Sequence, residues 1–133
     1  MPLVRIDLRK GRSARDRRAI ADVIYEALKA TLNVPDRDRF EIITEHEASN
    51  LLVDAQYMGI ERSEGVVLIQ VTLSVGRSVE AKQAFYKAVA DGLHDSAGVR
   101  REDVFINLVE VTRSDWSFGN GIAQYVEMDK KAG

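Results

Sequence analysis

The chain has 133 residues, 45% of them hydrophobic, which is typical of one compact domain spanning residues 1–133. It contains no cysteine and only two histidines, so disulfides, thiolate nucleophiles and the usual zinc or iron ligand sets are excluded and no metal is expected. The net charge of −2 and the lack of a long apolar segment favour a cytoplasmic protein with neither a nucleic-acid nor a membrane partner.

The first part of the chain predicts a strand, a helix and a strand: Leu3–Leu8, a helix starting at Ser13 and ending at Val34-Pro35, and Phe40–His46. Ser13 is a natural N-cap, and Asp16 follows at the spacing of a capping box. Apolar residues recur along one side of the helix, as the spacing of Ile20, Ile24 and Leu28 shows. The arginines near the helix start lack aromatic neighbours for base stacking, so they fit a solvated face.

The second part repeats this pattern, with a strand at Val66–Val75, a helix from Ser78 to Gly98 and a strand at Val104–Thr112. A shift of 65 positions places Gly11-Arg12-Ser13 on Gly76-Arg77-Ser78 and Asp38 on Asp103. The repeat units therefore span about residues 2–46 and 66–112, joined by a longer connection. After them we predict a turn over 115–121, a short strand at Ile122–Glu127 and a frayed tail from Met128.

The fold expected from this order is α+β in two layers. Each βαβ unit carries parallel strands, and together the units form a four-stranded mixed sheet with two helices on one face. Since the strands have apolar residues on both sides, as in Val66-Val67-Leu68-Ile69, we expect oligomerisation to cover the other face.

Pro2 is the residue with the most distinctive chemistry. With Met1 removed it would carry a secondary amine that could act as acid, base or nucleophile, whereas with Met1 attached its nitrogen is a tertiary amide. Burial would disfavour the cation, and a nearby carboxylate such as Asp38 would favour it. The alternative is that Pro2 only begins a strand, where its missing N–H costs nothing.

Pro2, the Gly-Arg-Ser sequence before the first helix and the paired βαβ units together resemble the tautomerase superfamily. Two further segments, Val34-Pro35-Asp36-Arg37-Asp38-Arg39-Phe40 and Asp115-Trp116-Ser117-Phe118-Gly119, are similar to stretches of malonate semialdehyde decarboxylases. The resemblance runs from Pro2 to about Val126.

This resemblance implies a homotrimer with Pro2 at the base of a pocket near a subunit boundary and with no cofactor. Pro2 would be the general acid or base, Asp38 the carboxylate that activates water or contacts the proline, and Arg77 the arginine that holds the substrate carboxylate. Trp116 and Phe118, with Tyr125, would form an apolar wall. Val75 stands where close relatives of the decarboxylase have a first arginine.

Arg12 matches the catalytic arginine of shorter tautomerases, which makes it a further candidate for substrate binding. Structural alternatives stay open for each residue. Arg12 and Arg77 could be remnants of the duplication, Asp38 could belong to a solvated turn, and Trp116 and Phe118 could cover a neighbouring subunit.

The leading hypothesis is decarboxylation of a small β-keto acid, with possible hydration of an unsaturated acid. Keto-enol tautomerisation of a phenylpyruvate-type substrate is the second. A non-catalytic binding or assembly module is the third, if Met1 is retained.

Overall fold

The computed structural model describes residues 1–133 and contains four strands and three α-helices joined by turns and short 3-10 segments. In chain order they are β1 (Pro2–Arg9), α1 (Ala14–Leu32), β2 (Glu41–His46), β3 (Val67–Ser74), α2 (Val79–Ala97), β4 (Val104–Val111) and α3 (Gln124–Ala132). The predicted strands of both repeat units are confirmed within one or two residues.

Both long helices begin at the predicted serine caps. The Ser13 hydroxyl accepts a hydrogen bond from the Asp16 N–H, and the Ser78 hydroxyl accepts one from the Ala81 N–H, each at 3.1 Å. The helices end at residues in the left-handed region, Asn33 (φ 56°) and Gly98 (φ 65°). Equivalent local signals thus produce equivalent helices in the two halves.

The sheet is mixed, as predicted, with strand order β2-β1-β3-β4. β1 pairs in parallel with β2, and β3 pairs in parallel with β4. The central pair, β1 and β3, is antiparallel, with Pro2 opposite Leu73 and Leu8 opposite Val67. The two βαβ units are therefore related by an approximate twofold axis, which sends equivalent residues of the two halves to opposite ends of the sheet.

One face of the sheet and the inner sides of α1 and α2 form a single apolar core, which confirms that both helices cover the same face. Alternate residues of β1 and β3 point into this core because strand side chains alternate between faces. Its fully buried members include Ile6, Leu8, Ile24, Ile69, Phe85 and Leu93.

The other face of the sheet is open in the single chain. It carries large apolar side chains, Ile42, Phe105 and Val109, which are about 40% exposed. Polar groups interrupt them, including the pair Gln70 and Asn107, whose amides hydrogen-bond at 2.8 Å.

The C-terminal segment differs from the sequence-based expectation. A short strand at Ile122–Glu127 and a frayed tail were predicted, but residues Gln124–Ala132 form helix α3. The strand prediction was wrong because it was based on six residues alone. That pattern does not show that Arg113, which follows β4, binds Asp129 in α3. The helices of the protein are too short or too polar to cross a membrane.

Candidate active site

The strand directions bring most of the predicted site residues to one end of the sheet. Pro2 begins β1, and Asp38 precedes β2, which runs parallel to β1. Arg77 follows β3, which runs antiparallel to β1, and Trp116 follows β4, which ends beside β3. The starts of β1 and β2 and the ends of β3 and β4 therefore lie at the same end of the sheet. We call the residues Pro2, Asp38, Arg77 and Trp116 at this end the Pro2 site.

Pro2 is buried at the start of β1. The Met1 amine lies 3.5 Å from Asp38 Oδ2, and both side chains are mostly covered. As long as Met1 is attached, the nitrogen of Pro2 has neither a proton nor a basic lone pair. The positive charge at this end of the chain is thus held one residue before Pro2.

Asp38 is poised to accept a further hydrogen bond. Its side chain is only 15% exposed, and its Oδ1 atom is buried with no partner. The preceding Arg37 adopts a left-handed conformation (φ 69°), which turns the chain sharply before Asp38. A buried carboxylate oxygen without a donor is costly, so this atom marks a place for a proton donor or a water molecule.

Arg77 lines a cavity of about 500 Å³ between the end of α1 and the start of α2. Its guanidinium donates to the carbonyl oxygens of Ser74 at 2.9 Å and Leu32 at 3.3 Å. These bonds use two of its five N–H donors and leave the others for an anion. Val75 lies on the wall of the same cavity.

Trp116, Phe118 and Tyr125 pack together as an aromatic wall. The rings of Trp116 and Phe118 are stacked with centroids 5.6 Å apart, and Tyr125 meets Phe118 edge-on at 5.0 Å. The Trp116 indole N–H donates to Ser74 Oγ at 3.0 Å. Ser74, which the sequence analysis did not single out, therefore joins the aromatic wall to Arg77.

Arg12 lies apart from these residues. It follows the other end of β1, roughly 25 Å along the strand from Pro2 at the usual rise per residue. Its guanidinium donates to the carbonyl oxygen of Gly65 at 2.7 Å, in the connection between the repeats. Within one chain, Arg12 does not join the Pro2 site.

Asp103, the repeat counterpart of Asp38, has a different environment. It is 2% exposed, and its two carboxylate oxygens accept from the N–H and the hydroxyl of Ser63 at 2.7 and 2.5 Å. The connecting segment thus fills the hydrogen-bonding capacity that stays open in Asp38. Only the first half of the repeat keeps an unsatisfied carboxylate.

Glu41 is a second buried acid near this end of the sheet. Its side chain is 6% exposed, with one oxygen bound to Arg39 Nε at 2.7 Å and the other without a partner. Burial raises the pKa of Glu41 to about 7, although Arg39 acts in the opposite direction. The sequence analysis did not identify Glu41 as a site residue, because nothing in the alternating pattern of β2 distinguishes it from other strand residues.

Known proteins match this chain over most of its length. Two family models, each described as tautomerase enzyme, match residues 38–119 and 2–60. Among curated proteins, the probable tautomerase YusQ of Bacillus subtilis is 40% identical over 96% of this chain and 100% of its own length. The probable tautomerase YrdN of the same organism is 34% identical over 95% of this chain and 97% of its own length.

Solved structures give a consistent result. FG41 malonate semialdehyde decarboxylase, inhibited by 3-bromopropiolate, superimposes with a TM-score of 0.89 at 44% identity, covering 96% of both chains. A second malonate semialdehyde decarboxylase has the same TM-score at 33% identity, covering 96% of this chain and 98% of its own. A symmetric trimer of fused 4-OT shares the fold at a TM-score of 0.77 and 22% identity, covering 93% of this chain and 98% of its own.

Proposed function

The chain belongs to the tautomerase family, in the branch that resembles malonate semialdehyde decarboxylases, and on that premise we propose that it is a cofactor-independent enzyme using an amino-terminal Pro2. Its substrate would be a small keto or unsaturated carboxylic acid, with malonate semialdehyde as the first choice. The observation that carries this proposal is the buried, unpartnered Oδ1 of Asp38 beside the start of the chain, where the Met1 amine lies 3.5 Å from Oδ2.

Removal of Met1 would place the cationic secondary amine on Pro2, close to Asp38. The carboxylate would stabilise that cation by charge attraction, so that Pro2 acts as the acid of the reaction. The open Oδ1 atom would hold a water molecule or an N–H of the amine. Asp38 could then direct water in the hydration of an unsaturated acid.

Decarboxylation would follow from the positions of the remaining groups. Arg77 binds the substrate carboxylate, and Pro2 donates a hydrogen bond to the aldehyde oxygen. As the bond between the carboxylate and the adjacent carbon breaks, its electron pair forms an enolate, which takes up one proton to give acetaldehyde, while the carboxylate leaves as CO2. The aromatic wall favours this step because it solvates the concentrated carboxylate charge less well than the delocalised enolate.

We further propose that the protein works as a homotrimer. The open sheet face exposes Ile42, Phe105 and Val109, and a second copy of the chain would cover them. A fused 4-OT that shares this fold is described as a symmetric trimer. Light scattering of the purified protein should give a mass close to three chains.

The activity test combines intact mass with three variants. Protein shown by mass to lack Met1 should release CO2 from malonate semialdehyde, and Pro2→Ala and Arg77→Ala should each lose about 100-fold or more in kcat/KM. Asp38→Asn should also be impaired. Asp36→Asn is its matched control, because Asp36 lies two residues away, is exposed and pairs only with Lys29.

Processed protein that releases no CO2, or a Pro2→Ala variant as active as the wild type, would exclude this function. Arg12→Ala tests the remaining candidate for substrate binding. A large loss in that variant would mean that a neighbouring subunit brings Arg12 to the Pro2 site.

Keto-enol tautomerisation is the second candidate, favoured by Val75 in place of an arginine and by relatives named as probable tautomerases. Ketonisation of phenylenolpyruvate that survives Asp38→Asn but not Pro2→Ala would select it. Retention of Met1 in the native host would instead favour a binding module, since the Met1 amine already pairs with Asp38.

A further inference from the structure

A bidentate ion pair joins the two ends of the segment that follows β4. Arg113 Nε and Nη2 donate to the two carboxylate oxygens of Asp129, each at 2.9 Å. The same guanidinium lies 4.1 Å from the centre of the Tyr125 ring, within range of a cation–π interaction. Arg113 therefore contacts both the first turn and the second turn of α3.

These contacts lead directly to the Pro2 site. Tyr125 meets Phe118 edge-on, Phe118 stacks on Trp116, and Trp116 donates to Ser74, whose carbonyl accepts from Arg77. A continuous row of contacting side chains thus runs from Arg113 to the substrate-binding arginine. Movement of α3 would be transmitted first to the aromatic wall.

The backbone between Phe118 and α3 makes a turn through three consecutive residues with positive φ. Gly119, Asn120 and Gly121 all have positive φ values, of 146°, 60° and 68°. The Gln124 side chain spans this turn, accepting from the Phe118 N–H and donating to the Gly119 carbonyl, both at 2.9 Å. The turn brings α3 back against Phe118.

Little else holds α3 in place. It is nine residues long and has no buried residue, and a helix of that length is marginal in water without tertiary contacts. Its pairing with Arg113 lowers the pKa of Asp129, so the ion pair is intact at neutral pH.

We propose that Arg113 and Asp129 form a latch that positions the aromatic wall of Trp116, Phe118 and Tyr125, with Arg113 and Asp129 acting as positioning residues and not as catalytic ones. The role of the wall in substrate binding rests on the proposed function. The position of the wall itself does not, because Trp116 is the only tryptophan in the chain and its fluorescence reports on it directly.

The experiment measures Trp116 and catalysis in the same full-length variants. Arg113→Ala and Asp129→Asn should each increase acrylamide quenching of Trp116 by about twofold, because the loosened turn opens the ring to solvent. They should raise KM for malonate semialdehyde by about threefold or more, with a smaller change in kcat. Arg113→Lys keeps the positive charge but cannot form the bidentate pair. Its quenching and KM should therefore lie between those of the wild type and those of Arg113→Ala.

Arg101→Ala is the matched control, since Arg101 is also a half-exposed arginine bound to an aspartate, Asp91, at 3.0 Å. It should leave quenching and KM at wild-type values. Asp129→Asn, which changes only an exposed side chain, keeps the test valid if Arg113→Ala folds poorly.

Trp116 quenching in Arg113→Ala or Asp129→Asn equal to that in the control would overturn the latch. Changed quenching in a protein that releases no CO2 and ketonises no enol would support the latch while excluding the proposed function. The two proposals therefore fail separately.

Discussion

Replacement of Glu41 by glutamine should change how the stability of the protein depends on pH. Glu41 lies on the helix side of β2, and its side chain is 6% exposed. The charged groups around it are Arg39, which binds it, and Asp22 and Arg18 on α1. Burial is the largest influence and raises its pKa from 4.5 to about 7.

The sign follows from where the proton is bound. Between pH 4.5 and about 7 the folded protein keeps a proton on Glu41 that the unfolded chain has released. Stability therefore decreases as pH rises through this window, and a shift of about 2.5 pKa units corresponds to about 3 kcal/mol. Glutamine is neutral at every pH, so the variant lacks this loss. The free energy of unfolding of the variant, relative to that of the wild type, should therefore increase by up to about 3 kcal/mol between pH 4.5 and pH 8.

Urea unfolding followed by circular dichroism at several pH values between 4.5 and 8 would measure this difference. Glu26→Gln is a suitable control, because Glu26 is on α1, is 68% exposed and pairs with a lysine. Parallel stability profiles of the wild type and Glu41→Gln across this range would refute the reasoning.

Three further predictions concern stability. A Cβ on Gly92 would lie 2.7 Å from Val23 Cγ1, so Gly92→Ala should destabilise the protein by roughly 1–2 kcal/mol in urea unfolding, and adding Val23→Ala should restore most of it; an unchanged midpoint would contradict the tight helix contact. Asp103→Ala leaves the N–H and hydroxyl of Ser63 without their acceptor and should cost roughly 2–4 kcal/mol by the same measurement, whereas a cost below that of an exposed aspartate would argue against a structural role. Ser78→Ala removes the cap of α2 and should cost about 1 kcal/mol, seen as a Tm lower by about 3–5 °C, and a variant that melts with the wild type would show the cap to be dispensable.

The regular elements could be predicted because their signals are local. Serine at positions 13 and 78 caps a helix through its own hydroxyl, and the apolar spacing that follows determines which side of each helix is buried. The repeat then predicted two parallel strand pairs. The signals for each helix lie within about twenty residues, and those for each strand pair lie within one repeat unit.

The arrangement of the site needed more than local signals. Arg12 and Arg77 occupy equivalent positions in the repeat, and only the antiparallel pairing of β1 with β3 shows that they lie at opposite ends of the sheet. Helix α3 was missed because its stability depends on Arg113, eleven residues before its start. The pKa of Glu41 could not be foreseen, since burial on an edge strand is a property of the assembled layers.

The different surroundings of Asp38 and Asp103 have a consequence for how this chain could change under selection. If the two halves of the repeat were identical, the two aspartates would have the same surroundings, and a substitution at either would have the same effect. In this chain their surroundings differ, since one carboxylate has an oxygen without a partner and the other is bound by Ser63. In a saturation library we expect substitutions at Asp38 to reduce turnover at normal cellular abundance, and substitutions at Asp103 to reduce abundance at normal turnover per molecule. A screen that measures both quantities would therefore separate the two aspartates into two classes, one in each half of the repeat.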